Sequence, residues 1–189
     1  MMLLQVNQPS INVYFYHPKK RPVAEKNYIL TREVAEKKMQ RMALEVAENL
    51  YGDSAPVILI GIKESGMVIA EKMEILLEPL FAPGQVKVIS CSINKRAPGE
   101  VLFSDVINFT GMNIIMIDDV TNSGRTLLYA LKPLLQFLPK RIQTLSLVER
   151  MHKNFPVKTD YVGLSVATTL QEHIHVEVSE GEVLGAYLE

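Results

Sequence analysis

The 189-residue sequence predicts an α/β fold with an open, mostly parallel sheet and flanking helices, and three observations predict it. Short continuous apolar runs, Pro56–Gly61, Ile114–Ile117 and Ile142–Val148, have the length and β-branched content of strands buried on both faces. The first two runs each feed a brief polar turn and then a helix-forming segment, about Met67–Leu77 and Leu127–Leu138, which is the strand–turn–helix rhythm of parallel sheets. A hydrophobic content of 48% supplies enough apolar surface for a core.

Taken in order, residues 1–30 carry the weakest pattern. Ile11–Tyr16 reads as a strand, and the basic turn His17–Pro22, with two prolines, ends it as a solvated loop. Thr31 is placed as a helix N-cap. Behind it Ala35, Met39, Met42, Ala43, Val46 and Leu50 recur at spacings of three and four and describe one buried face. Lys37, Lys38 and Arg41 lie largely off that face, and Gly52 is the stop. Val86–Ile93 alternates apolar and polar residues and reads as a strand. Pro133 falls inside the segment Leu127–Leu138 and predicts a kink or a two-part helix.

The composition bounds the function classes. The length fits one domain, 1–189. A net charge of −1 gives no electrostatic footprint for bulk nucleic-acid binding. One cysteine, Cys91, excludes an internal disulfide and is read as a buried small apolar residue in a reducing compartment. No signal peptide and no membrane span is evident, so the expectation is a cytoplasmic protein without membrane contact. His173 and His175 alternate and would share one face of an exposed edge strand; no third ligand suggests a metal pair.

The chemistry concentrates in Ile114–Thr126. A buried strand delivers Asp118 and Asp119 to the point where it would end, and Asn122-Ser123-Gly124-Arg125-Thr126 turns into a helix. Ligands of open α/β sheets bind at the carboxyl ends of strands. A small-residue turn entering a helix presents free N–H groups to a phosphate. Adjacent carboxylates suit sugar hydroxyls or a divalent metal.

This stretch resembles the signature of the type I phosphoribosyltransferases: an apolar strand, two acids, then Thr-Gly-x-Thr, here Ser123-Gly124-Arg125-Thr126. The resemblance implies that Asn122–Thr126 hold the 5′-phosphate of phosphoribosyl pyrophosphate (PRPP). It implies further that Asp118 and Asp119 address the ribose, directly or through Mg²⁺, and that a small C-terminal hood is present. By the same resemblance, the loop Lys63-Glu64-Ser65-Gly66 meets pyrophosphate. Lys63 matches the pattern, whereas Glu64 departs from it, since a carboxylate beside pyrophosphate is unfavourable. A loop carrying Lys95 and Arg96 would close over the site and bind pyrophosphate as its charge develops.

The tail sharpens the resemblance. Glu149, Arg150, His152, Pro156, Asp160, Tyr161, Val162 and Gly163 look like the PyrR family of bifunctional pyrimidine-operon regulators and uracil phosphoribosyltransferases. Arg150, Val166 and Ala167 fall near the expected base pocket. The 6-oxopurine enzymes put an Asp base where this chain has Asn122, a Lys near Glu149 and a stacking aromatic near Leu170, none of which is present here. A pyrimidine such as uracil is therefore favoured over a purine acceptor. The alternatives are a PRPP- or nucleotide-binding regulator with little turnover and a purine phosphoribosyltransferase. An RNA contact is not supported by the charge, and the family makes a homodimer the expected assembly.

Overall fold

In the computed structural model, residues 26–94, 99–169 and 171–189 are described. The predicted strand Ile11–Tyr16, the basic turn after it, the loop residues Lys95 and Arg96, and Leu170 lie outside the described residues. The elements run β1 (Asn27–Thr31), α1 (Arg32–Asn49), β2 (Val57–Ile62), α2 (Ser65–Leu77), β3 (Val86–Ile93), β4 (Val101–Phe103), β5 (Asn113–Thr121), α3 (Arg125–Leu131), β6 (Arg141–Arg150), β7 (Tyr161–Val166), β8 (Ile174–Ser179) and β9 (Glu182–Leu188). Six strands form one sheet in the order β4-β3-β2-β5-β6-β7, and three form another in the order β1-β9-β8. In the large sheet β3, β2, β5, β6 and β7 are parallel, and β4 closes one edge antiparallel to β3. The mostly parallel α/β sheet expected from the sequence is the fold.

The helices form for the reasons the pattern gave. The Thr31 hydroxyl accepts the Val34 N–H at 3.3 Å and caps α1, which buries Ala35, Met39, Met42, Ala43 and Val46. Gly52, at φ 74°, turns the chain out of the helix. Along β5 successive side chains take opposite faces. Ile115 and Ile117 join the core under α1 and α2, while Ile114 and Met116 join the second core with Leu127, Ala130 and Leu134. Burying each such side chain contributes about 1.5–3 kcal/mol.

The break at Pro133 agrees with expectation, and two other features differ from it. β5 does not end at Ile117 but runs through Asp118 and Asp119 to Thr121, because β6 also continues, to Arg150, and pairs with it as far as Thr121↔Glu149. The segment after the Ser123–Gly124 turn is two-part: α3 stops at Leu131 and a 3-10 turn, Lys132–Gln136, takes Pro133 where its missing N–H costs nothing. The hood is the small antiparallel sheet, and it is not purely C-terminal. β1, unread in the sequence, pairs with β9 (Tyr28↔Tyr187) and so brings the beginning of the chain to the end.

At the amino ends of the parallel strands, Lys140 sits 2.8 Å from the Asp53 carboxylate. The hydrogen bond from Lys140, helped by the Ala55 N–H, lowers the Asp53 pKa from 3.8 to about 2. The folded protein therefore binds fewer protons here than the unfolded chain between these values. The stabilisation is complete above pH 3.8 and disappears as pH falls towards 2. Thermal melts across that acid window should show the wild type losing melting temperature more steeply than Asp53→Asn, whose curve lacks this contribution.

Candidate active site

The site lies where β2 and β5 separate. Their pairing stops at Gly61↔Ile117, whereas β5 stays paired with β6 for four more residue positions, to Thr121. α2 enters the gap through Gly66, which is close-packed: a Cβ there would stand 2.7 Å from the Ile117 carbonyl oxygen and 3.2 Å from Asp118 Cα. Beyond this contact opens a cavity of about 320 Å³, lined by Ser65, the run from Asp118 to Leu127, and Ile174–Val176 of β8.

Asp118 is 2% exposed and lies on the Met116 face, and Asp119 follows on the other face with its N–H donating to Asp118 Oδ1 at 3.1 Å. Behind them, burial first and the Asp118 charge second push the Cys91 thiol up to about 12, so it stays protonated and unreactive. Gly124, at φ 80°, makes the turn into α3, and the Arg125 N–H donates to Ser123 Oγ at 3.3 Å. α3 has only seven residues, so its dipole is weak, and any pull of this turn on an anion would come from its backbone N–H groups. The turn is held from behind. The N–H groups of Asn154 and Phe155 donate to the Ser123 carbonyl at 3.1 and 3.0 Å, and the Phe155 carbonyl oxygen would be 3.3 Å from a Cβ on Gly124.

The segment bearing Asn154 is itself anchored. Lys153 pairs with Glu149, which also accepts from Ser165 Oγ at 2.8 Å. Burial raises the Glu149 pKa, but the hydrogen bonds from Lys153, Ser165 and Thr159 together outweigh it and leave the carboxyl below its ordinary value.

The donor set suits a hard cation of Mg²⁺ type. Two adjacent carboxylates face a polar cavity with room for substrate oxygens and water, which is how Mg²⁺ is commonly held. Among the described residues no group of three His, Cys, Asp or Glu forms an all-protein cage.

Comparison with known proteins bears directly on this geometry. Residues 27–181 match the model of the phosphoribosyl transferase domain family. This chain belongs to the phosphoribosyltransferase family. It is thereby an enzyme of the pentosyltransferase class. It is similar to the bifunctional protein PyrR of Halalkalibacterium halodurans, 31% identical over 163 residues that cover 80% of this chain and 90% of that protein. It is likewise similar to the PyrR of Streptococcus equi subsp. zooepidemicus, 32% identical over 162 residues covering 82% and 92%. Among solved structures, the hypoxanthine phosphoribosyltransferase of Trypanosoma cruzi superposes with a TM-score of 0.67 at 16% identity, covering 75% of this chain and 82% of that one, a likeness of fold.

For a phosphoribosyltransferase with PyrR-type sequence, the expected residues divide clearly. Asp118, Asp119, Asn122, Ser123, Gly124, Arg125 and Thr126 come together around one cavity. Lys63, Glu64 and Ser65 line a neighbouring cavity of about 460 Å³ with Ser92 and Ile93, and Ser65 borders both. Gly66 lines neither; its place is the backbone contact with β5. Arg150, Val166 and Ala167, expected at the base, are also absent from the lining. Val166 packs on the main core, Ala167 is exposed, and the Arg150 guanidinium is engaged by the connection between β7 and β8.

The residues that the sequence reading missed are Ile174–Val176. β8 is an edge strand, as expected for the His-rich segment, and Ile174, His175 and Val176 line the cavity. His173 exchanges both main-chain bonds with Glu189, at 2.7 and 3.0 Å. By the alternation of an antiparallel ladder, the N–H and C=O of Ile174 and Val176 then point away from β9, to the free edge. The His175 ring stacks on Tyr187 at 5.3 Å, with Nε2 3.3 Å from the Glu189 carboxylate.

Gly124→Ala should lower the unfolding free energy by about 1–2 kcal/mol from the left-handed backbone alone. Gly52→Ala, at φ 74° with nothing within 4 Å of its Cβ, carries the same backbone cost without a neighbour. Denaturant titration of the pair should show the larger loss at Gly124, where Phe155 must also give way.

Proposed function

We propose that this chain transfers ribose 5-phosphate from PRPP to a ring nitrogen of a pyrimidine, uracil foremost, and releases pyrophosphate. The observation that carries the reading is the single cavity in which the paired carboxylates Asp118 and Asp119 adjoin the turn Asn122–Thr126. In this reading the N–H groups and hydroxyls of Ser123–Thr126, with Asn122 beside them, cradle the 5′-phosphate. Asp118 and Asp119 hold the ribose hydroxyls, directly or through Mg²⁺; they would hold that ion, which would supply positive charge to offset the phosphate oxygens. Pyrophosphate leaves across Ser65 into the cavity lined by Lys63 and Glu64, where the ammonium of Lys63 offsets its charge. Lys95 and Arg96 join this role on the sequence resemblance.

No protein nucleophile is required. The rate comes from holding donor and acceptor in line and from stabilising the leaving group. The base enters against the free edge of β8, where main-chain groups of Ile174 and Val176 can meet its polar rim. The 6-oxopurine pattern puts an Asp base where this chain has Asn122, which cannot take a proton, whereas the pyrimidine-regulator pattern has no Asp there; this favours a pyrimidine acceptor. The PyrR relatives support the same choice. A single domain, a homodimer and a cytoplasmic location complete the proposal; no helix among the described residues is long and apolar enough to cross a membrane.

The test is pyrophosphate release from PRPP and Mg²⁺ with uracil, hypoxanthine, guanine, xanthine, adenine and orotate in turn. Release with uracil is the expected result. Release with a purine alone would overturn the acceptor. No release with any base, while PRPP still raises the melting temperature, would leave a PRPP-binding regulator. Asp119→Asn should cut kcat/KM by about 100-fold, as the loss of a transition-state electrostatic group does.

A further inference from the structure

The connection between β7 and β8 is fastened at both of its ends by one residue that does not belong to it. Arg150 closes β6, in register with Val166, the last residue of β7. Its Nε donates to Thr168 Oγ1, and a terminal guanidinium nitrogen donates to the carbonyl oxygens of Thr169, at 2.9 Å, and of Glu172. The connection is also closed on itself. The Glu172 carboxylate accepts the Thr169 N–H at 2.7 Å and the Thr169 hydroxyl at 2.9 Å. The next residue, His173, makes the first main-chain rung to Glu189, and Ile174–Val176 follow at once along the cavity.

We infer that Arg150 and Glu172 form a clasp that sets where β8 begins, and so fixes the position of its cavity-lining residues Ile174–Val176 relative to the turn Asn122–Thr126. Arg150 is then a positioning residue and not a contact to the base. Three features require this. Its donors are directed at three acceptors of the connection, and a planar fork is the geometry that can hold several fixed acceptors at once. Neither Arg150, Thr168, Thr169 nor Glu172 lines the cavity that contains Asp118 and Asp119. The large sheet and the small sheet are separate hydrogen-bonded units: β8 is laddered to β9 but not to β7, so the bonds of Arg150 tie the start of β8 to the large sheet.

The inference rests on the proposed transferase reaction for its kinetic consequences but not for its structural one, and the experiment separates them. Arg150→Lys keeps the charge and loses the fork, and Glu172→Gln keeps the shape and loses the charge. Amide hydrogen exchange of the full chain, followed by peptide, should show peptides from Thr169 through Val176 exchanging faster in both variants, with β5 and β6 peptides unchanged. This readout stands even if the protein turns over no base.

In the pyrophosphate-release assay with the acceptor found for the wild type, each variant should raise KM for the base by about tenfold, the scale of a lost charge-assisted hydrogen bond. KM for PRPP and kcat should stay near wild type. The double variant should be no worse than the worse single one, since both break one device. Unchanged exchange in both variants would overturn the clasp. So would a changed preference among bases in Arg150→Lys with a silent Glu172→Gln, because that pattern belongs to an arginine touching the base.

Discussion

The site depends on an inequality of strand pairing. β5 is bonded to β2 only as far as Gly61↔Ile117, but to β6 as far as Thr121↔Glu149. The residues in between, Asp118 to Thr121, keep an extended backbone from one neighbour while β2 no longer pairs with their other edge. This is also where the chain's path reverses: from β2 it crosses through α2 to β3 on one side, and from β5 through α3 to β6 on the other. Crevices form at such switch points because the two connecting loops diverge there. An acidic pair on a loop would be free to swing. On a strand, each carboxylate is held to one direction by the pleat.

Close packing converts that opening into a shaped cavity. Gly66 lets the first turn of α2 rest directly on the β5 backbone beside Asp118, a distance that any side chain would increase. The same economy holds on the far wall, where Gly124 turns against the Phe155 carbonyl. The segment from Lys153 to Phe155 then acts as a strap. Its ammonium is tied to Glu149 and its amides to the Ser123 carbonyl, so the turn is fixed by contacts that do not use the N–H groups of Ser123 and Gly124. The turn is thereby ordered before any ligand arrives, which reduces the entropy cost of binding.

The small sheet supplies the remaining wall, and it is assembled from both ends of the described chain. β9 sits between β1 and β8, and Lys26, Tyr28, Glu177 and Tyr187 interlock on it: the Lys26 ammonium lies 2.8 Å from Glu177 and 4.6 Å from the Tyr187 ring centre. These groups are partly exposed, so their individual worth is small. Their effect is to hold register in a sheet too narrow to be rigid by itself. The relatives of PyrR type share most of the chain's length, while the hypoxanthine enzyme structures share the fold at low identity. The scaffold is therefore common ground.

What the sequence determined by itself is the material with short-range causes. The runs Val57–Ile62 and Ile114–Ile117 announce buried strands, the three-four spacing from Ala35 to Leu50 announces α1, and Pro133 breaks the helix where a proline must. That Asp118, Asp119 and the turn Asn122–Thr126 would lie together was legible because their spacing alone puts them on one strand end and one loop. What only the tertiary structure decided involves partners far apart in the chain. β5 extends past its apolar run because β6 lies beside it, and β1 is a strand because β9 offers it an edge. Arg150 reads in sequence as a candidate for the base, yet it points to Thr168, Thr169 and Glu172. Ile174 and Val176 turn their main-chain groups away from β9 because the rung at His173–Glu189 sets the alternation along β8. Hydrophobic period and turn chemistry are written locally, whereas pairing register and the direction of a long side chain emerge only when distant segments compete for the same hydrogen bonds.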